Sequence, residues 1–312
     1  MTTPPGPGPD QTLSAVMRER RQLINLAYRL LGSLAEAEDA VQETYTRWYA
    51  MPAQQRQAIG SPGGWLTTVA SRVCLDVLGS ARARREIYVG EWLPEPLPAA
   101  AEQSAGAPAD PADRVTLDES VSMAFLVVLE TMTPAERVAF VLHDVFRYPF
   151  ADVAEIVGRT PAACRQLASS ARHRVRASRS PATPAAQRAS AVRNAVIVRD
   201  FKAAWEARDI GALIGLLDPA ATAVADGGGL VSAALRPIEG GEQVARYLAG
   251  IVGRTPRLTI TERTVNGQPG LVAQLDGAIA TVFAFDMAAD KITRIWIIRN
   301  PNKLTGWANQ AD

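Results

Sequence analysis

"IVGRTPAACRQLASSARHRVRA", residues 156–177, carries five arginines, one histidine and no acid. Widening the window to Arg159 through Arg199 gives nine arginines, still without Asp or Glu, although the 312-residue chain is almost neutral at 33 basic and 32 acidic residues. Cys164, Leu167, Ala168, Ala171 and Val175 fall on one stripe of a helix starting after Thr160-Pro161, and Arg165, Ser169, Arg172 and Arg176 fall on a second. Soluble helices usually intersperse acids for i,i+4 pairing, so an acid-free arginine stripe points to a polyanionic partner. Upstream, FADVAEIV reads as a short helix ended by Gly158. TMTPAERVAFVLHDVF reads as a helix with Thr133 as N-cap, Pro134 in its first turn, Glu136 closing a capping box, and Val138, Val141, Leu142 and Val145 in helical period. Helix, glycine turn, helix is the helix-turn-helix pattern. Arg165, Gln166 and Ser169, near the start of its second helix, are placed for base edges; Arg159, Arg172, Arg174 and Arg176 are placed for the phosphate backbone, and Thr160 caps the helix.

Composition narrows the field. A chain with 47% hydrophobic and 21% charged residues is globular. The opening MTTPPGPGPD lacks the basic and apolar regions of a signal peptide, and no stretch of ~18 apolar residues follows, so a cytoplasmic protein without a membrane partner is expected. Two distant cysteines, Cys74 and Cys164, and two histidines, His143 and His173, predict neither a disulfide framework nor a metal site, and no cofactor is expected. Two Pro/Ala-rich stretches divide the chain. The reading is a tail over 1–11, a helical module over 12–88, an acidic linker over 89–115, the helix-turn-helix module over 116–178, a linker over 179–189, a third module over 190–300 and a tail over 301–312.

In the first module Leu23, Leu26, Ala27, Leu30 and Leu31 keep helical spacing up to Gly32. Ser33 and Glu36 then have the arrangement that starts a new helix. That helix buries Ala37, Ala40, Val41, Thr44, Tyr45 and Trp48 and leaves Asp39, Gln42, Glu43 and Arg47 outside, which periodicity alone reads as a solvated face. A third helix turns Trp65, Leu66, Val69, Val73 and Val77 or Leu78 inward and ends in Arg82, Arg84 and Arg85.

LAYRLLGSLAEAEDAVQETYTRW, GWLTTVASRVCLDVL and TMTPAERVAFVLHDVFRYPFADVAEIVGRTPAACRQL together resemble the extracytoplasmic-function sigma factors, over about 160 of the first 178 residues. The resemblance implies two all-α domains, region 2 and a helix-turn-helix region 4, with RNA polymerase core and promoter DNA as partners. It places Asp39, Ala40, Val41, Gln42 and Glu43, with Arg47, on the polymerase clamp. It places the segment from Met51 to Arg72, with Arg56, Trp65, Thr68 and Arg72, on the melted −10 element, and the helix from Thr160 on the −35 element. Gly79 departs from the pattern, since many relatives have an arginine there, which puts one backbone contact in doubt. A basic and aromatic surface suits unstacked bases, but Trp65 as plain core is an equal alternative. The linker, whose only charges are acidic, suits either a basic polymerase channel or plain solvation.

The third module reads as helices followed by strands: AVRNAVIVRDFKAAWEAR, IGALIGLLD, two strands around DGGG, EQVARYLAGIVG, then RLTITERTV, GLVAQLD, AIATVFAFDM and KITRIWIIR. It resembles the α+β cone of SnoaL-like and nuclear-transport-factor-like domains. The expected architecture is therefore multidomain, two all-α domains followed by an α+β cone. DGGG (Asp226, Gly227, Gly228, Gly229), NPNKL (Asn300, Pro301, Asn302, Lys303, Leu304) and WLPEPL, with Trp92 and Leu93, resemble the sigma-factor subgroup carrying this extension. In the commoner NPDKL an aspartate stands where Asn302 is. These residues are expected to be regulatory. Catalysis by Asp226, binding of a small apolar ligand, and internal docking all stay open for this module. The competing reading is a one-component helix-turn-helix regulator with a ligand-binding or isomerase-like third module.

Overall fold

The computed structural model describes residues 9–86, 88–99, 121–178, 184–255 and 257–308. They form two compact units, one from the residues up to Ala81 and Met132–Arg172, the other from the segments around Trp92 and Met123 and everything after Arg172.

The first unit is helical. Helix α1 (Pro9–Leu31) packs its Leu23, Leu26, Ala27, Leu30 and Leu31 stripe on α2 (Leu34–Ala50). The turn between them has Gly32 at φ 72°, and the Ser33 hydroxyl accepts the Glu36 amide. A short α3 (Ala53–Ala58) lies in the expected loop. Helix α4 (Pro62–Glu86) buries Leu66, Thr67, Ala70, Ser71, Val73, Cys74 and Leu78, whereas Trp65 and Val69, expected inward, are only half-buried. Small residues, which weigh little in a hydrophobic pattern, form most of the true contact stripe. Helix α6 (Pro134–Phe140) begins with the expected capping box: the Thr133 hydroxyl accepts the Glu136 amide and the Glu136 carboxylate accepts the Thr133 amide. Regular period was expected through Val145, but Val141–Val145 widen into a π turn, with the Phe146 amide bonded to the Val141 carbonyl, and Val145 is half-buried. Helix α7 (Phe150–Val157) ends at Gly158, φ 68°, and α8 (Pro161–Ser178) starts with the Thr160 hydroxyl accepting the Ala163 amide.

Burial pushes the Cys74 and Cys164 thiols up from their ordinary pKa. A thiol whose pKa is raised on folding stabilises the fold only while the unfolded thiol keeps its proton. Stability of this unit is therefore expected to be flat to about pH 8.5 and then to fall by up to about 1.4 kcal/mol per pH unit for Cys74. Denaturant unfolding at a series of pH values, beside Cys74→Ala, measures the slope; equal slopes with and without Cys74 contradict it.

In the second unit α5 (Met123–Glu130), α9 (Pro184–Glu206), α10 (Ile210–Leu216), α11 (Gly241–Arg254) and α12 (Thr305–Ala308) surround a six-stranded sheet. Its strands β1 (Leu217–Asp226), β2 (Ile238–Glu239), β3 (Leu258–Val265), β4 (Gln268–Leu275), β5 (Ala278–Ala288) and β6 (Lys291–Ile298) run in the order β2-β1-β6-β5-β4-β3. Only β1 and β6 are parallel. Phe283, Phe285, Ile295 and Ile297 point to the face covered by α9, α10 and α11, where Phe201, Trp205 and Leu248 pack. The alternate residues Val282, Ala284, Trp296 and Ile298 point the other way, onto Leu93, Met123, Leu304 and Trp307.

Three expectations change here. The 179–189 segment was read as linker, yet α9 begins at Pro184. The 301–312 tail is in its described part a 3-10 turn (Pro301–Lys303) and α12, with Lys303, Leu304 and Trp307 buried. The acidic linker was read as solvated or channel-bound, yet residues 93–98 are buried, Glu95 included. The last two reflect one cause: the sheet has two apolar faces, and the one not covered by α9, α10 and α11 needs a cover.

Candidate nucleic-acid interface and linker clasp

Helix α8 presents Arg165, Gln166, Ser169 and Arg176 to solvent, with Arg159 and Thr160 exposed at its start. The Arg165 guanidinium lies 5.6 Å from the Phe150 ring centroid, which holds the side chain beside the turn. Arg172 departs from the free stripe expected of it, because its Nε is 2.7 Å from Oδ1 of Asp144. The Ser170 hydroxyl donates to Glu136 at 2.9 Å and Arg174 donates to the Thr131 carbonyl at 2.7 Å. The acids missing from α8 are supplied from elsewhere in the chain, which a local charge count cannot see.

On α2, Asp39, Gln42, Glu43 and Arg47 are exposed, Glu43 and Arg47 pairing at 2.8 Å. Ala40 and Val41, placed by resemblance on the same docking face, are buried and act as packing. Trp65 stands 5.2 Å from Trp48, ring to ring, and both are half-buried. Arg56 lies 5.9 Å from the Tyr49 ring and donates to the Tyr49 carbonyl, while Tyr45 stacks on Tyr49 at 6.2 Å. Tyr49, 61% exposed, is a residue the periodicity did not single out. Thr68 is half-buried. Exposed Arg72 donates to the Glu155 carbonyl at 2.9 Å, and the Tyr148 hydroxyl donates to Thr67 at 3.0 Å, so α4 is pinned to α7 and its approach.

The regulatory candidates converge on one buried carboxylate. Asp226 has no exposed surface. Its Oδ1 accepts from the Tyr88 hydroxyl at 2.6 Å and the Gly228 amide at 3.0 Å; its Oδ2 accepts from the Leu93 amide at 3.0 Å and Lys303 Nζ at 2.6 Å. Its carbonyl takes the Arg299 and Asn300 amides. Lys303 also donates to the Leu93 carbonyl and sits 4.0 Å from the Trp92 ring centroid. Asn300 donates to the Tyr88 hydroxyl at 2.9 Å and accepts the Asn302 amide. The Asn302 and Pro301 side chains are exposed, so Asn302 leaves the buried charge pair untouched. Gly228 and Gly229 take positive φ, and a Cβ on Gly227 would come within 2.4 Å of the Val231 carbonyl oxygen. Further along, Leu97 exchanges bonds with Asn266, whose Nδ2 donates to the Val121 carbonyl, and Trp307 donates to the Pro96 carbonyl. Tyr88, Pro96, Asn266 and Trp307 were not anticipated. A Trp and an Asn near short motifs carry no signal of their own without the register of β3 and β4.

This geometry, an exposed arginine helix in a helix-turn-helix beside a helical module with an acidic face, is that of a promoter-binding subunit. Residues 15–84 match Sigma-70 region 2 and residues 122–175 match Sigma-70, region 4. The chain belongs to the extracytoplasmic-function (ECF) RNA polymerase sigma factors, transcription initiation factors that partner RNA polymerase core and promoter DNA. It is 40% identical over 297 residues to the ECF RNA polymerase sigma factor SigJ of Mycobacterium tuberculosis, covering 92% of this chain and 91% of that one. To the probable ECF RNA polymerase sigma factor SigI of the same organism it is 36% identical over 300 residues, covering 95% of each. The crystal structure of Mycobacterium tuberculosis SigJ superposes with a TM-score of 0.73 at 36% identity, covering 94% of this chain and 98% of that one. The match extends through the C-terminal unit, a SnoaL-like extension. No helix among the described residues is long and apolar enough to cross a membrane.

Proposed function

We propose that this sigma factor docks on polymerase core through Asp39, Gln42, Glu43 and Arg47, and holds unstacked −10 bases on the surface made by Tyr49, Arg56, Trp65 and Thr68. It reads the −35 element with Arg165, Gln166 and Ser169, backed on the phosphates by Arg159, Thr160 and Arg176. Arg72 and Arg172 join only after their present bonds to Glu155 and Asp144 are given up. The SnoaL-like unit controls these modules by clasping the chain that joins them. The observation that carries this reading is the burial of residues 93–98, the start of that joining chain, with the Leu93 amide and carbonyl both bonded to the Asp226–Lys303 pair. Asp226, the carboxylate considered as a base, spends its acceptor sites on that clasp, which favours an internal regulatory role over catalysis.

Base reading by α8 has a direct test. Arg165→Ala is expected to weaken binding to the preferred −35 sequence by about 1–3 kcal/mol and to relax one position. Arg176→Ala is expected to weaken all sequences alike and to flatten the salt dependence. Selection from randomised −35 DNA with the holoenzyme separates them; an unchanged preference for Arg165→Ala sinks the assignment.

A further inference from the structure

The second unit contains a cavity of about 400 Å³ under α11 and the end of the sheet formed by β3, β4 and β5. That volume lies within the range of small-molecule sites. Its wall combines apolar Trp205, Leu258, Phe283 and Ile297 with the polar side chains of Ser232, Tyr247, Thr255 and Thr281. The Trp205 indole N–H is already bonded to the Leu248 carbonyl, so the ring offers the cavity only apolar surface. Two cations, Arg254 and Arg299, line it, and none of the lining residues is Asp or Glu. Arg299 donates to the Ser232 carbonyl, a neutral partner, and pairs with no carboxylate among the described residues. Arg254, at the exposed C-terminal end of α11, pairs with no carboxylate among the described residues. A chamber that offers large apolar side chains, hydroxyl groups and two guanidinium groups but no carboxylate is complementary to an apolar body ending in one carboxylate.

The same wall reaches the clasp. Ser232, Ala233 and Ala234 line this cavity on one side and on the other a hollow shared with Val89, Gly90, Gly227 and Gly229. Gly227 is packed so closely on that segment that a Cβ there would stand 2.9 Å from the Ala233 Cβ. Arg299, through its amide, bonds the Asp226 carbonyl at 2.7 Å.

We propose that the cavity is an effector site for a small apolar monocarboxylate, which takes the Arg299 guanidinium from the Ser232 carbonyl and thereby moves the 231–234 segment against the linker clasp. Binding stands by itself; the effect on the clasp rests on the regulatory reading given above. Decanoate and its neutral counterpart 1-decanol are the probes, titrated into the full-length protein by calorimetry. Decanoate is expected to bind, decanol at least about tenfold more weakly, and Arg254→Gln and Arg299→Gln each to weaken decanoate about tenfold. Ala280→Phe, which fills the cavity from its lining, is expected to abolish binding; its fold is checked by circular dichroism. No decanoate binding, or equal binding of acid and alcohol, overturns the site. Hydrogen exchange at the Leu93 and Leu97 amides, with and without decanoate, reads the coupling. Faster exchange supports it, and bound decanoate with unchanged exchange overturns the coupling while leaving the site in place.

Discussion

Asp226→Ala is expected to destabilise the C-terminal unit by about 3–5 kcal/mol, because it leaves the Lys303 ammonium, 7% exposed, buried without its carboxylate. It also strips the acceptor from the Tyr88 hydroxyl and the Leu93 amide. For a unit of this size the melting transition should fall by roughly 10 °C. Asp226→Ala with Lys303→Met removes both charges and should recover part of the loss. Chymotrypsin, which cuts after Tyr88 and Trp92, should open the single variant far faster than the parent. Run-off transcription on a cognate promoter should rise with the release of the clasp. A melting curve and a digestion pattern like the parent's would show that Asp226 is a bystander in a clasp held by its neighbours.

Reversing Asp39 and Glu43 to Lys together is expected to lower affinity for polymerase core by at least about a hundredfold, since like charge facing a complementary surface costs several kcal/mol. Folding should be almost unaffected. Both residues are exposed, and among the described residues the bond lost is the solvent-facing Glu43–Arg47 pair, worth about 0.3–0.5 kcal/mol. Co-purification with core, beside a melting curve of the free protein, separates the two effects. A variant that melts normally and still co-purifies would reduce the acidic face of α2 to a solvated one.

Local chemistry made much of this architecture legible. Thr133 with Glu136, Gly158 and Thr160-Pro161 fix helix ends through bonds spanning three or four residues, and such bonds are written in adjacent letters. Strand β3, LTITERTV, could be read from alternation, and the longer apolar runs of β5 and β6 from their β-branched and aromatic residues. What escaped was set by distant partners: Asp144 for Arg172, Glu155 for Arg72, Leu30 for buried Arg137. The arginine stripe was therefore read as freer than it is. The clasp was half legible. DGGG, NPNKL and WLPEPL stand out as motifs, and Trp92, Leu93 and Leu97 are apolar residues in a stretch that has no core of its own. The sheet face that receives Leu93 has its own signal, since TVFAF and RIWII are apolar on consecutive residues, and a strand apolar at every position is covered on both faces. Read that way, the runs already ask for a second lid. Docking of Ala40 and Val41 came from resemblance, and their helical phase opposed it.

The two-faced sheet also sets how often the linker is free. Leu93 and Leu97 are both essentially buried, and exposing two such side chains costs about 3–6 kcal/mol before any hydrogen bond is counted. At about 1.4 kcal/mol per decade, the released state then occupies roughly one molecule in a hundred to one in ten thousand. If the clasp exerts the control proposed above, a sigma factor kept at that occupancy is a small leak in an otherwise silent population. On that reading, polymerase or an effector must favour the released state by the same two to four powers of ten, and the threshold of the response lies in two leucines rather than in the surfaces that touch promoter or polymerase.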